Sequence, residues 1–463
     1  MLPTTFARRA PPHKGVAAMG VRTRVLAGVL VLAVFLVYIA AAGRERARGG
    51  GGGGGGGAVR AFSFASPVTL PAPDAAGARP RVLVTGGAGY IASHTIVELV
   101  AAGFAVTIVD NLVNSSPESV ARVRKLVAAP EAITFVRGDV RDEAVLAGAL
   151  SAAPHAAIIH FAALKAVGES ISRPLDYYEN NLNGLVTVLA AARAYGIKQV
   201  VFSSSATVYG SAAPPFTEAT PVGSGITNPY GQTKFVAELI LADFTKANPD
   251  VAVACLRYFN PVGAHPSGTI GEDPKGVPNN LMPLCGEGGA RGGHGGDRAA
   301  APHALFNRHF PLPSPPPPPL FGSIQRVAVG KYKALAVHGS DYDTPDGTAQ
   351  RDYIHVVDLA KGHVKAVAWL QKRAASGVGG MEVVNLGTGQ AISVLEMVKA
   401  FEAASGKPVP YTLGPRRAGD VPAVWADATK AATLLGWRAE LGLADMCRDS
   451  WRWVSQNPEG YGA

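Results

Sequence analysis

The chain has 463 residues, 48% of them hydrophobic and 17% charged, so its length is compatible with two or three domains that have buried cores. Its formal net charge of +9 is concentrated at one end, because residues 1–60 carry nine lysines and arginines against the single acid Glu45. The rest of the chain is nearly neutral. This distribution argues against a folded basic surface that binds nucleic acid.

An apolar segment follows the first basic residues. Residues 25–42 contain no charge and no proline, and arginines flank them on both sides. A membrane-spanning helix needs roughly 20 apolar residues, with a lower limit near 17. We therefore predict a basic tail over 1–24 and a single-pass transmembrane anchor over 25–42. Five basic residues precede this segment and three follow it closely, which favours a cytoplasmic N-terminus and a luminal catalytic part, for example in the Golgi.

Two other interpretations of the N-terminal segment remain open. A cleaved secretory signal would use the alanines at 40–42, and an organellar transit peptide would explain the arginine-rich, acid-poor start. Cleavage of the segment would place the protein in the cytosol or in an organelle. Beyond it, residues 43–80 include nine consecutive glycines and several prolines, which predict a flexible stem.

A regular alternation of apolar strands and helical stretches begins at Arg81. Residues 82–84 predict a buried strand, a glycine-rich turn follows over 86–92, and residues 93–102 predict a helix. The next strand, over 106–109, ends at Asp110, where a dinucleotide fold places the acid that binds the adenine ribose. Further strands are predicted over 133–136, 157–161 and 199–204. The pattern predicts a Rossmann-type doubly wound parallel sheet that binds NAD, since Asp110 would repel the 2′-phosphate of NADP.

A tyrosine and a lysine four residues apart indicate a site of proton transfer. Tyr230 and Lys234 would lie on one face of a helix that Asn228 caps and Pro229 begins. Ser205 ends the preceding apolar strand. A neighbouring ammonium and a bound nicotinamide cation would both lower the pKa of the Tyr230 phenol. His155 and His160 have no second ligand at a suitable spacing, so we predict no metal site.

The ordered motifs of the chain resemble the extended short-chain dehydrogenase/reductases, and among them the UDP-glucose 4-epimerases. The resemblance covers residues 81 to about 461. It rests on the segments TGGAGYI at 85–91, DNL at 110–112, HFAALKAVGES at 160–170, SSSATVYG at 203–210, YGQTK at 230–234, RYFNPVGAHP at 257–266, PNNLMP at 278–283, RDYIHV at 351–356, NLG at 385–387 and RRAGD at 416–420.

The resemblance implies a reaction and a set of site residues. Tyr230, with Ser205, would take the proton from the sugar 4-hydroxyl while the C4 hydride passes to NAD+, and the 4-keto sugar would turn and accept the hydride on its other face. Lys234 would bind the nicotinamide ribose. The implied cofactor residues are Gly86, Gly89, Tyr90, Ile91, Asp110, Asn111, Asp139, Val140, Phe161, Ala162, Lys165, Asn180 and Tyr258. The implied UDP-sugar residues are Asn260, Asn279, Asn280, Leu281, Arg351, Tyr353, Arg417, Asp420 and Val424.

The same resemblance divides the chain into an NAD-binding domain over 81–260 and a smaller α/β UDP-sugar-binding domain over 261–463, part of which returns to the Rossmann sheet. It also implies a homodimer formed through two helices of the cofactor domain, one of them the Tyr230 helix. Dehydratases of this superfamily need an Asp-Glu pair next to Ser205, where this chain has Ala206 and Thr207. Elimination chemistry is therefore disfavoured.

Three positions depart from the epimerase pattern. Ala92 replaces a usual glycine, and Val424 replaces a frequent tyrosine, which leaves room for N-acetylated sugars. The third departure is a Gly- and Pro-rich insert of 39 residues at 285–323, interpreted as a disordered loop or as translated non-coding sequence. Peptide mass fingerprinting of the native protein would distinguish these two origins.

UDP-glucose and UDP-galactose are the leading predicted substrates. UDP-xylose and UDP-arabinose are the alternative, because the residues that act at C4 do not contact C6. A non-catalytic NAD-binding regulator is the alternative of a different class, but it predicts the loss of Ser205, Tyr230 or Lys234, and all three are present.

Overall fold

The computed structural model describes residues 79–273, 324–416 and 420–462. Seven parallel strands form its main sheet. In chain order, the strands of the described regions are β1 (Arg81–Thr85), β2 (Ala105–Asp110), β3 (Ile133–Arg137), β4 (Ala157–His160), β5 (Gln199–Ser205), β6 (Ala252–Tyr258), β7 (Asn260–Val262), β8 (Leu335–His338), β9 (Gln350–Arg351), β10 (Tyr353–His355), β11 (Gly380–Leu386), β12 (Ile392–Ser393), β13 (Tyr411–Gly414) and β14 (Ala423–Val424).

The order of strands across the main sheet is β11-β6-β5-β4-β1-β2-β3. The order reverses between β1 and β4, which makes this edge the topological switch point where a doubly wound sheet binds its ligand. The strand β11 comes from the C-terminal part of the chain and pairs along its whole length with β6. The Rossmann-type parallel sheet predicted from the sequence is confirmed.

Helices cover both faces of the sheet. The helices are α1 (Tyr90–Ala101), α2 (Pro117–Leu126), α3 (Glu143–Ser151), α4 (Val167–Ser172), α5 (Pro174–Tyr178), α6 (Gly184–Ala194), α7 (Pro229–Ala247), α8 (Ile324–Ala328), α9 (Val356–Ala375), α10 (Val394–Ser405) and α11 (Leu443–Gln456). A π-helical turn, Glu179–Asn183, joins α5 to α6.

Alternate residues of each strand enter different cores. Val82 and Val84 of β1 belong to the core that includes Ile96 of α1, whereas Leu83 belongs to the core that includes Leu146 of α3. This alternation follows from the two-residue period of a strand. Because both faces are covered, the strands are apolar runs, as expected for a parallel sheet.

The remaining strands form three small sheets. The strand β7 pairs with β10, β9 pairs with β12 and β14, and β8 pairs with β13. A separate hydrophobic core lies here, with Phe401 of α10 and Met446 of α11 among its fully buried members. The pairing of Arg351 with Val424 brings two of the predicted substrate residues together.

Several sequence-based predictions concern residues that are not described. The predicted anchor at 25–42, residues 43–78 of the predicted stem and the insert at 285–323 all lie outside the described residues. Within the three described regions, no helix has both the length and the apolar character needed to cross a membrane.

Candidate active site

A cavity of about 660 Å³ opens at the carboxyl ends of the central strands. It lies at the switch point between β1 and β4, where the glycine turn, the segment after β4 and the start of α7 converge. Tyr230 and Lys234 line it together with twelve of the thirteen predicted cofactor residues: Gly86, Gly89, Tyr90, Ile91, Asp110, Asn111, Val140, Phe161, Ala162, Lys165, Asn180 and Tyr258.

The glycine turn approaches the neighbouring segment too closely for any side chain. Gly86 has φ +70°, and a Cβ atom at this position would lie 2.7 Å from the backbone nitrogen of Ala162. Asp110 joins the glycine turn to the segment after β2. Its Oδ2 accepts from the Ala88 N–H at 3.0 Å, and its Oδ1 accepts from the Leu112 N–H at 2.8 Å. The turn is therefore a backbone cradle suited to a pyrophosphate at a helix N-terminus.

Asp139 differs from the other predicted cofactor residues, because it does not line the cavity. Its Oδ2 accepts from Arg141 Nη2 at 2.7 Å and from Asn111 Nδ2 at 3.1 Å, and the Arg141 guanidinium lowers its pKa to about 2. The carboxylate thus orients Asn111, which does line the cavity, rather than facing the ligand itself.

An ion pair crosses one side of the cavity. Lys165 Nζ lies 2.7 Å from Glu272 Oε1, and the ammonium is 5.8 Å from the centre of the Tyr90 ring. The Tyr90 hydroxyl donates to the Gly263 carbonyl at 2.7 Å, which fixes the ring. Burial and the Glu272 carboxylate both raise the pKa of Tyr90, so this phenol remains neutral.

The helix α7 positions the predicted catalytic residues. Asn228 caps it by accepting from the Gly231 N–H at 2.8 Å, and Pro229 occupies its first turn, as predicted. Tyr230 therefore lies in the first turn of the helix, at the cavity wall. Its hydroxyl is hydrogen-bonded to the side chain of Ser205, the last residue of β5.

Lys234 lies one turn further along α7 and is buried. Its Nζ donates to the Ser203 carbonyl at 2.5 Å and lies 5.9 Å from the centre of the Tyr230 ring. Burial lowers the pKa of this lysine to about 8, against the opposing effects of Cys255 and Glu238. The structure thus brings all three predicted catalytic residues together.

The predicted pKa of Tyr230 requires a correction. We expected the phenol to be acidified, but in the protein alone burial raises its pKa to about 12, and the hydrogen bond from Ser205 opposes this only in part. Lys234 is itself buried and shares its proton with the Ser203 carbonyl. The other positive charge that is predicted to lower the pKa of Tyr230 is the nicotinamide cation, and it is present only when the cofactor is bound.

The described substrate residues form one group on the small sheets. Asn260 Nδ2 donates to the Asp352 carbonyl at 3.1 Å. Arg351 donates to the Val421 carbonyl at 3.0 Å and lies 3.9 Å from Asp420, while Val424 is half-buried beside it. Arg351 is part-exposed, and its guanidinium forms only a long ion pair with the Asp420 carboxylate, so it suits a diphosphate.

Tyr353 is the most deeply buried of the described residues that were predicted to bind the UDP-sugar. Its ring is 4% exposed and belongs to the C-terminal core with Val262 and Met397, so little of it is available to a sugar. The predicted ligands Asn279, Asn280, Leu281 and Arg417 lie outside the described residues.

Two family models match the chain. The NAD dependent epimerase/dehydratase family matches residues 82–284, and a model described as GDP-mannose 4,6 dehydratase matches residues 299–450. The UDP-glucose 4-epimerase of Erwinia amylovora is 48% identical over 380 residues, which cover 82% of this chain and 99% of the relative. That of Homo sapiens is 46% identical, over 82% and 98% respectively. The chain belongs to the UDP-glucose 4-epimerase family.

Solved structures agree with this membership. The UDP-glucose 4-epimerase from Bifidobacterium longum in complex with NAD+ and UDP superimposes with a TM-score of 0.70 at 46% identity, covering 82% of this chain and 99% of that one. The enzyme from Stenotrophomonas maltophila with bound NAD and formylated UDP-arabinopyranose gives 0.70 at 41% identity, with the same coverage. The cradle at Gly86 and the carboxylate of Asp110 fit NAD, the cofactor of this epimerase family.

Two acids and a tyrosine are among the cavity residues that were not predicted from the sequence. Glu272 and Asp273 follow the predicted ligand segment at 260–266, and Tyr461 is close to the C-terminus. Tyr461 and Asp273 are joined by a hydrogen bond from the Tyr461 backbone N–H at 2.9 Å. Asp273 and Tyr461 are far apart in sequence, so the spacing of residues could not predict that they line the same cavity. Glu272 is an acid next to another acid, a pattern that ordinarily indicates a solvated turn.

Proposed function

We propose that this protein interconverts UDP-sugars at C4, with UDP-glucose and UDP-galactose as its principal pair. The observation that carries the proposal is the pair Tyr230 and Lys234 in the wall of the NAD cavity, with Ser205 beside the Tyr230 hydroxyl. When bound, NAD+ accepts the C4 hydride and returns it to the other face of the sugar, so no net oxidation occurs.

Residues of the protein carry out the proton transfer that accompanies the movement of the hydride. Tyr230 is placed to accept the proton of the sugar 4-hydroxyl and to return it, and the Ser205 hydroxyl stabilises its ionised form by a hydrogen bond. Lys234 provides a positive charge within 5.9 Å of the phenol ring. The high pKa of Tyr230 in the protein alone limits its ionisation until a cation binds beside it.

Elimination is the competing reaction, since the C-terminal half matches a dehydratase model. Dehydration needs an acid and a base beside Ser205, yet the next residues are Ala206 and Thr207. Their side chains do not titrate in the physiological range. This difference favours epimerisation.

The decisive experiment is a side-by-side assay of UDP-glucose, UDP-galactose, UDP-xylose and UDP-arabinose with the purified protein. We expect C4 inversion without added reductant, and we expect Tyr230→Phe to lose at least about 100-fold in kcat, because a general base is removed. NAD binding without C4 inversion of any of the four would refute the enzyme assignment.

The pentose pair is the second candidate. The Stenotrophomonas maltophila relative was solved with formylated UDP-arabinopyranose, and the half-buried Val424 beside Arg351 presents a smaller side chain than tyrosine. A kcat/KM for UDP-xylose that exceeds the value for UDP-glucose would make the pentoses the principal substrates.

We also infer a homodimer. Ile171 of α4, Leu175 of α5 and Leu239 of α7 are exposed by 62%, 68% and 46%, and α7 contacts both of the short helices. An exposed apolar surface of this kind is typical of an interface. Sedimentation of the wild type and of Leu175→Lys/Leu239→Lys would test it: the wild type should be dimeric and the variant monomeric, whereas a monomeric wild type would refute the dimer.

For the N-terminal part we propose a membrane anchor at 25–42 with a luminal catalytic region. The support is the uncharged segment and its flanking basic residues. Protease treatment of sealed microsomes should leave the C-terminal region intact until detergent is added. Digestion without detergent would refute the orientation, and recovery of the C-terminal region in the carbonate-soluble fraction would refute the anchor.

A further inference from the structure

A buried ion pair lies behind the catalytic residues. Glu238 and Arg257 have side chains that are each 5% exposed. The carboxylate of Glu238 accepts from Arg257 Nε at 2.9 Å and from Nη2 at 2.6 Å, a bidentate arrangement. A buried pair of charges contributes little net stability compared with apolar residues of the same shape. Its presence therefore calls for another explanation.

The pair is placed where it can hold the catalytic residues. Glu238 follows Lys234 by four residues and Tyr230 by eight on α7, so the three side chains leave the helix on the same side. Its Oε1 also accepts from Ser204 Oγ at 2.6 Å. Ser204 stands between Ser203, whose carbonyl accepts from Lys234, and Ser205, which is hydrogen-bonded to Tyr230.

The pair is fixed in turn by a chain of hydrogen bonds across the sheet. Arg257 Nη1 donates to the Tyr209 hydroxyl at 3.1 Å, and that hydroxyl donates to Asn385 Oδ1 at 2.6 Å. The Asn385 amide donates to the Phe216 carbonyl at 2.8 Å. Because β5, β6 and β11 all contribute, Glu238 has little freedom to move relative to β5.

The charge of Glu238 acts on Lys234. Lys234 faces Tyr230 and Glu238 from its own helix, Cys255 from β6 and His160 from β4, with Arg257 behind Glu238. Burial raises the pKa of the Cys255 thiol and lowers that of His160 to about 3, so both are neutral near pH 7. Glu238 therefore supplies the negative charge among these groups that favours the ammonium form of Lys234.

We propose that Glu238 is a positioning residue of the epimerisation: through Arg257 and Ser204 it fixes the strand that carries Ser205, and it keeps Lys234 protonated beside Tyr230. This inference rests on the proposed C4 epimerisation. It assigns a role in the reaction to a residue that does not line the cavity.

The test is the pH profile of kcat for full-length protein acting on UDP-galactose. Glu238→Gln should move the alkaline limb of the profile to lower pH by about one unit, because Lys234 then loses its proton more easily. Glu238→Gln leaves the Arg257 charge buried and unpaired, so the double variant Glu238→Gln/Arg257→Met is made as well. It should fold and show a smaller shift in the same direction, because the Arg257 charge that disfavours protonation of Lys234 is removed together with the carboxylate. Glu238→Asp keeps the charge and should restore the position of the limb.

The matched control is Asp358→Asn. Asp358 is fully buried on α9 and accepts from the Glu440 and Leu441 backbone N–H groups, and neither of these hydrogen bonds reaches β5 or α7. The alkaline limb of the kcat profile of Asp358→Asn should stay at the wild-type pH. An unshifted limb in the double variant, or an equal shift in the control, would overturn the positioning role. An inactive wild type would instead refute the proposed function.

Discussion

At the scale of single residues, some side chains of the cavity hold the backbone by hydrogen bonds in addition to their predicted contacts with the ligand. Asp110 is predicted to bind a ribose, and its carboxylate also accepts from Ala88, Leu112 and Ser115. Leu112 has a φ of 64°, a left-handed conformation that is uncommon for leucine. Its N–H bond to Asp110 holds this conformation in place. Loss of Asp110 would therefore disturb the glycine turn, in addition to removing the predicted contact with the ribose.

Gly86→Ala should abolish tight NAD binding. The added Cβ would lie 2.7 Å from the Ala162 nitrogen, a backbone atom that cannot move without displacing the segment after β4. We expect at least about a tenfold weaker NAD affinity in a titration, from loss of a close backbone approach. The control is Gly103→Ala, because Gly103 has a similar φ of +89° but open space around it. Gly103→Ala should lose some stability and keep NAD affinity; equal losses in both variants would contradict the steric explanation.

At the scale of elements, α7 couples the fold to the chemistry. Its first turn carries Tyr230, its second carries Lys234, and its third carries Glu238, so a single rotation of the helix would move all three side chains. The cap at Asn228 defines where the helix begins. The spacing in the sequence was enough to predict this helix and its start, because capping and the 3.6-residue period are local properties.

Asn228→Ala should lower both stability and activity. The Gly231 N–H would lose its acceptor, which costs about 1 kcal/mol in the free energy of unfolding. The first turn that carries Tyr230 would fray, so kcat should fall by more than the change in stability explains. Urea unfolding and initial rates would measure the two effects. Asn228→Ser retains a capping oxygen and should approach wild-type values; a fully active Asn228→Ala would show that packing alone positions Tyr230.

At the scale of the whole molecule, burial of histidines links stability to pH. His363 is fully buried on α9, with its ring 4.7 Å from that of Phe161 and 5.7 Å from that of Tyr258. Burial lowers its pKa from the usual 6.5 to about 4. Below pH 6.5 the His363 imidazole is therefore protonated in the unfolded chain but remains neutral in the folded protein. The stability that His363 contributes is complete above pH 6.5 and declines as the pH falls toward 4.

His363→Gln should reduce this dependence. We expect the difference in unfolding free energy between wild type and variant to be smaller at pH 4.5 than at pH 8 by about 2 kcal/mol, because each pH unit contributes about 1.4 kcal/mol. The difference at pH 8 measures the loss of packing alone and serves as the internal control. Chemical denaturation at both pH values provides the measurement. A difference that does not change with pH would show that His363 titrates in the folded protein.

The sequence by itself determined the parallel sheet, the glycine turn, the position of Asp110 and the Tyr230 helix. Each of these depends on residues that are close in the chain, so period, capping and glycine placement are sufficient to predict it. Long ordered motifs also determined the family. Spacing further predicted that Tyr230 and Lys234 share a surface, and the structure places both at the cavity.

Only the tertiary structure decided which side chains are buried and what that does to them. Burial places Tyr353 in the C-terminal core and raises the pKa of Tyr230. The Glu238–Arg257 pair, and the approach of Tyr461 to the cavity, join segments that are far apart in sequence. Desolvation depends on all the atoms that surround a group, and those atoms come from segments that local patterns do not bring together.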